Sequence, residues 1–279
     1  MAFSEIAAQH STIVTLCLYG VATVAGFAGM LLRSPGLRRT GCVAAVLGLL
    51  AQTFAMALGF HKSLPGGLSM GAYLQLIAWF ALLCGTASLI KLRRDSLLLL
   101  SAPLGLALFL MSTPWLGTPV KVPDSLHASF YALHIGSLFL SLGLLVLAGA
   151  AAVLFLFLER RIKAKRPMEG FWKDMPPIAL LDSINAVTTV TAFPLYTIGL
   201  MAGLLWAEPL FGARVTGDPK QIVSLVIWIL FAFLFHARVA RGMKGRKPAS
   251  LTLTILCLCL FSVVVVNTVM HTHHAFLRD

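Results

Sequence analysis

The sequence predicts an all-α fold, a polytopic helical bundle with about eight transmembrane helices. Three observations carry this. Hydrophobic residues make up 58% of the 279 residues and charged residues 11%, with a mean hydropathy of +0.89. A soluble domain usually carries about 25% charged residues. Apolar stretches recur, several reaching the ~20 residues a helix needs to cross the hydrocarbon core. No period-two strand pattern survives between them.

Eight spans are expected, at roughly 11–32, 41–60, 70–90, 96–113, 128–158, 185–207, 221–239 and 249–270. No gap is long enough for a soluble domain. Residues 1–279 therefore read as one integral membrane domain, with four N-terminal spans in 1–113 and a second half in 128–276. The fifth helix is too long for a simple span. His127–Leu158 would measure about 48 Å at 1.5 Å per residue, against a core about 30 Å thick. Counted back from Arg160, the excess projects outward and places His134 at or just above the outer interface.

The net charge of +12 is not a nucleic-acid signal, because its distribution follows topology. Most of the 22 Lys and Arg residues fall in alternate loops: Arg33–Arg39, Lys91–Arg94, Arg160–Lys173 and Arg238–Lys247. The positive-inside bias puts these loops in the cytoplasm and both termini outside. The location expected is a bacterial cytoplasmic (inner) membrane, with lipid as the surrounding partner and no nucleic acid. Met1–His10 contains no Lys or Arg, so a cleaved secretory signal is not expected.

The five cysteines (Cys17, Cys42, Cys84, Cys257 and Cys259) all fall within spans and form no C-x-x-C pair. They read as small buried apolar residues. Small residues on span 5 (Gly136, Gly143, Ala150) and the G-x-x-x-G of Gly199 and Gly203 on span 6 point to close helix contacts. Gln52, Gln75 and Asn267 read as interhelical hydrogen-bond formers. Trp115 and Trp206 suit an interfacial aromatic belt. Asp182 and Asn185 read as helix-start chemistry or as residues along the inner interface.

The chemistry, if any, rests on histidine. Of the eight, His10, His61, His127, His134, His271, His273 and His274 fall on or near the outer side. His236 alone lies toward the cytoplasm, about one turn inside the end of span 7. Imidazole is the usual protein ligand of haem iron, and Lys121, Arg214 and Lys220 stand ready to pair with propionates. A simple metal ion, or plain solvated histidines at the interface, remain open on spacing alone. His236 reads either as a functional intramembrane group or as one that snorkels to the interface. No nucleophile motif, phosphate loop or paired-carboxylate site appears.

From about Tyr131 onward the chain resembles the CcsA/HemX-like cytochrome c assembly family of membrane haem-handling proteins. ALHIGSLFLSLGLL (Ala132–Leu145) resembles the helix that holds the family's first external haem ligand, which falls on His134. LDSINAVTTVTAFPLYTIGLMAGLLWA (Leu181–Ala207) resembles its sixth helix. FHARVARGMKGRKPA (Phe235–Ala249) is similar to its histidine–basic–Gly–Lys–Pro–Ala run and carries the intramembrane histidine onto His236. The end of the last helix, from Asn267, carries the second external ligand onto His274, with His271 and His273 as neighbouring candidates. The family's tryptophan-rich loop survives here only as Gly212 and Asp218, Pro219 and Lys220. Phe211, Val215 and Gly217 stand where tryptophan is expected.

The resemblance implies that the chain binds and handles haem b in cytochrome c biogenesis, presenting or transferring it at the outer face. His134 and His274 would ligate the iron and His236 would mark an inner transit position. The implied partners are a second assembly subunit and apocytochrome c. The lost tryptophans imply that the chain is not a complete haem ligase on its own. The alternative is a HemX-like, non-catalytic regulator of tetrapyrrole synthesis. It would act on glutamyl-tRNA reductase through the basic surface of Arg160–Lys173 and Arg238–Lys247. A small-molecule transporter is a third class, without a convincing inverted repeat.

Overall fold

The computed structural model describes residues 2–63, 70–93, 95–115, 128–169, 172, 175–214 and 217–263. Among these residues there are eight α-helices, one short 3-10 turn at Thr113–Trp115, and no strand. The chain forms two compact units: residues 1–121 with 165–176, and residues 122–164 with 177–279.

The first unit contains α1 (Ala2–Leu31), α2 (Pro35–Ser63), α3 (Met70–Leu92) and α4 (Ser96–Ser112). Helix α1 packs on α2 and on α4, and α3 packs on α4. Its core is held by one buried polar chain. The Tyr19 hydroxyl donates to Gln52 Oε1, and Gln52 Nε2 donates to the Gln75 carbonyl at 2.6 Å. Gln52 therefore bonds across helices as the sequence suggested, whereas Gln75 contributes its backbone. At the basic end, the Arg38 fork grips Asp95 just before α4, with Nε 2.8 Å from Oδ2. Two parallel N–H bonds fix both distance and orientation.

The second unit contains α5 (Ala128–Lys163), α6 (Ile178–Phe211), α7 (Pro219–Val239) and α8 (Arg246–Phe261). Helix α5 lies against α6 and α8, and α7 bridges α6 and α8. Helix α5 runs five residues past the expected Leu158, so its excess length is not all at one end. Helix α6 starts at Ile178, seven residues before the expected span. Asp182 and Asn185 are consequently not helix-start residues but side chains inside α6. The described part of the last helix stops at Phe261, and the rest of the expected span lies outside the described residues.

Six of these helices are long and apolar enough to cross a membrane, and α4 is a shorter apolar helix. The protein is a multi-pass membrane protein with an all-helical bundle. One expectation fails throughout it. Only Cys259 is buried; Cys42 and Cys84 are partly exposed, and Cys17 and Cys257 are exposed. Lipid is as apolar as the bundle interior, so a small apolar residue in a span is under no pressure to face inward.

Candidate functional site

His134 sits near the start of α5, at the end remote from the basic Lys163 end, where the apolar stretch of that helix begins at Leu133. Its position follows from the G-x-x-x-G of α6. Ser137 and Leu138 press on Gly199, and the His134 ring lies over Gly203. A Cβ at Gly203 would come within 2.4 Å of His134 Cε1 and 2.7 Å of Nδ1. Only glycine leaves room for the imidazole there. The small-residue motif thus forms the groove for this histidine, besides bringing two helices together. Gly136, on the same turn of α5, makes no such contact and would accept a Cβ freely.

The ring is also oriented by polarity. Nδ1 lies 2.6 Å from the Gly199 carbonyl oxygen. A carbonyl can only accept, so Nδ1 carries the hydrogen and the neutral ring has its lone pair on Nε2. Metal-ligating histidines are commonly oriented in this way, with the second nitrogen bonded to a carbonyl. Trp206 packs beside the ring, centroid to centroid 6.2 Å and tilted by 47°. Trp206 is thus a neighbour of the histidine, a contact that its reading as an interfacial aromatic did not include. This donor set fits an axial haem ligand. His271, His273 and His274 lie outside the described residues.

The described residues between α6 and α7 place the Gly212 and Asp218–Lys220 candidates. Gly212 ends α6 in a left-handed conformation, φ 73°, with its N–H on the Glu208 carbonyl. Asp218 caps α7: its Oδ1 accepts the Lys220 N–H at 2.7 Å, and Pro219 follows at the first helical position. Proline suits that position because its missing N–H would have no intrahelical partner. Asp218, Pro219 and Lys220 therefore start a helix, whatever else they do. Arg214, a propionate candidate, pairs with Glu208. Gly217 has φ 73°. A tryptophan at position 217 would be strained in that conformation.

His236 lies in the last turn of α7 and is exposed. It continues a stripe of exposed side chains along that helix, Ile222, Leu225, Ile229 and Phe233. The imidazole faces away from the packed interior, with Arg241 lying over the Phe233 ring at 5.8 Å.

Next to it lies a buried cluster that the sequence reading missed. Arg238 is only 8% exposed. Its guanidinium donates to Asp182 Oδ1 at 2.9 Å, to Asn185 Oδ1, and to the Met243 carbonyl at 2.9 Å. Asn185 Nδ2 donates in turn to the Ala148 carbonyl at 3.0 Å and to Thr252 Oγ1 at 3.1 Å. The Gly245 N–H reaches Asp182 Oδ1 at 3.1 Å. One cluster thus ties α5, α6, α7 and α8 together at the basic end. Arg238 is withdrawn from the basic surface to which the sequence assigned it. The available signal was spacing: Asp182 and Asn185, three apart, share a helix face, and an arginine inside the end of an apolar span needs a partner.

Comparison with known proteins gives a consistent picture. Residues 9–274 match the family described as Cytochrome C assembly protein. A cytochrome c biogenesis protein CcsA of Synechocystis sp. is 37% identical over 100 residues, which cover 35% of this chain and 30% of that protein. The CcsA of Guillardia theta is 25% identical over 191 residues, covering 60% of this chain and 64% of the relative. For the CcsA of Gloeothece citriformis the figures are 26% over 205 residues, 57% and 62%. The matched part thus spans from about a third to just under two thirds of these relatives.

Proposed function

The chain belongs to the cytochrome c assembly protein family, and from that premise we propose that it binds haem b and handles it during cytochrome c biogenesis. The observation that supports this best is His134, held in a glycine groove with Nδ1 on the Gly199 carbonyl. That arrangement prepares Nε2 as a metal ligand and fixes its direction before any ligand arrives.

In this reading the basic loops are cytoplasmic, the membrane is a bacterial inner membrane, and both termini are outside. His134 and His274 would hold the haem iron at the outer face, with His271 and His273 as neighbouring candidates. When bound, haem would supply an iron centre that imidazole ligates and the macrocycle destined for an apocytochrome c. Protein residues then bind and orient it. Gly199 holds the proton on Nδ1, Gly203 leaves space for the ring, and Trp206 covers one side. Gly212, Asp218, Pro219 and Lys220 shape the connection between the helices. That connection lacks its tryptophans, so the chain works with a second assembly subunit and is not a complete ligase alone.

His236 would serve an inner position. Its exposure on α7 supports a ligand shared with a partner chain, since the bundle itself turns no other histidine toward it among the described residues. The test is haem loading of the purified full chain, followed by its Soret absorbance. A band that disappears or shifts in His134→Ala and in His274→Ala is expected. A band unchanged in both would overturn the outer site. Gene deletion distinguishes the regulatory alternative. Loss of covalent cytochrome c is expected; normal cytochrome c with altered glutamyl-tRNA reductase abundance would replace assembly by regulation.

A further inference from the structure

His236 and Arg238 are two residues apart on α7, so their side chains leave the helix about 200° apart. One is exposed and the other is almost fully enclosed. These facts are linked. With Ile227, Phe231 and Leu234 buried on the same face, commitment of the guanidinium to Asp182, Asn185 and the Met243 carbonyl sets the rotation of the last turn of α7. His236 can then leave the helix only on the opposite side.

From this geometry we infer that Arg238, held by Asp182 and Asn185, is a positioning residue that turns His236 outward and fixes its depth in the membrane. The inference rests on the reading of His236 as an inner haem ligand. It adds the part of the chain that aims the ligand.

The fork geometry matters here. Asp182 and Asn185 lie one turn apart on α6, and the planar guanidinium reaches both while also binding the turn after α7. A lysine has the charge but not the fork. The same Asp182 oxygen accepts the Gly245 N–H, and Gly245 has φ 88°. The turn from α7 to α8 is therefore pinned to the same carboxylate. The remaining guanidinium nitrogen, Nε, is buried without a hydrogen-bond partner. Accepting that cost makes sense if direction, and not stability alone, is what the cluster provides. Val239 and Phe233 flank His236 on the exposed side, each about 60° away around the helix, so a rotation of that size would exchange the imidazole for an apolar side chain.

The test reads rotation directly. In the full chain with its five cysteines replaced by alanine, a nitroxide is attached at His236→Cys, and at Phe231→Cys as a buried reference. Collision with oxygen is measured by electron paramagnetic resonance in lipid bilayers. High oxygen accessibility is expected at position 236. It should fall toward the level of position 231 in Arg238→Met and in the milder Asp182→Asn, with Arg238→Lys intermediate. Accessibility unchanged in both Arg238→Met and Asp182→Asn, with position 231 still protected, would overturn the inference. Haem spectra of membranes carrying the assembly partners supply the second reading. The component lost in His236→Ala should shift in Asp182→Asn. If His236→Ala changes nothing in that spectrum, the inner haem reading fails, and the nitroxide result still decides whether Arg238 sets the rotation of α7.

Discussion

Gly203→Ala is the sharpest test of the outer site, because it adds one methyl group where the structure has room for none. The added Cβ would lie 2.4 Å from His134 Cε1. Carbon atoms are best packed at about 3.5–4.0 Å, so ring and helix must part by more than about 1 Å. Overpacking of this kind costs about 1–3 kcal/mol. Alanine recovers up to about 1 kcal/mol through its helix propensity, so overpacking wins or breaks even. Bundle stability should therefore fall only modestly. Haem binding should suffer more. A ring displaced by that distance loses the Nδ1–H bond to Gly199, and losing such an orienting partner typically costs 10–100-fold in metal affinity. The assay is a Soret titration of the purified chain in nanodiscs. Gly136→Ala is the control: it adds the same methyl group two residues from His134, where nothing lies within 4 Å. Equal affinities and equal spectra for the two variants would refute the argument that Gly203 makes the place for this imidazole.

The remaining predictions concern the frame around the two histidines. Asn185→Leu removes the partner of Arg238 Nη2, while Thr252 keeps the Pro248 carbonyl, and a buried group left unpaired costs about 1–3 kcal/mol. Reversible unfolding in mixed micelles measures it, and a loss below about 0.5 kcal/mol would show that other partners take over, as in the weaker membrane hydrogen bonds. Asp218→Ala deletes the cap of α7 at about 0.5–2 kcal/mol, whereas Asp218→Asn should be nearly neutral; faster hydrogen exchange at the Lys220 amide is the readout. Tyr19→Phe leaves Gln52 Oε1 without its donor in the first unit, and should cost no more than about 1.7 kcal/mol by the membrane range, read from the thermal midpoint.

Much of the fold was legible because it follows from one number, the apolar length needed to span a bilayer. The start of α7, the presence of α4 and the long α5 all came from that length and from punctuation by Pro, Gly and charge. The ends of α5 and α6 did not. Arg160, Arg161 and Lys163 continue α5 as well as they would end it, because a helix C-terminus welcomes positive charge. The burial of cysteines was misread because lipid and protein interior give a small apolar residue no preference. The His134 site was half legible. The sequence supplied the histidine and the G-x-x-x-G separately, but only the packing of α5 on α6 shows that each explains the other. Arg238 was hidden by its company: among basic residues at a span end it reads as a topology signal, and only its pairing with the Asp182 and Asn185 face of another helix marks it as the one turned inward.

The two histidines are prepared in opposite ways, and this bears on what each needs. His134 is directed inward by its own bundle. Its tautomer, contact face and neighbouring aromatic are all set by α6. A ligand prepared this fully would need one further protein ligand for the iron, and the proposed one, His274, belongs to this chain. His236 is directed outward, because the arginine two residues away is bound on the inside. No carbonyl of the bundle was needed to hold that ring in place, and a hydrophobic stripe leads up to it. A second axial group for His236 must then come from outside the packed unit, so handling haem at that level becomes conditional on a neighbour. In the proposed function, the chain alone should retain haem only at the outer level of His134 and His274, and adding the partner subunit should raise the haem content by a component that depends on His236. Full occupancy of both levels in the isolated chain would contradict this division of roles.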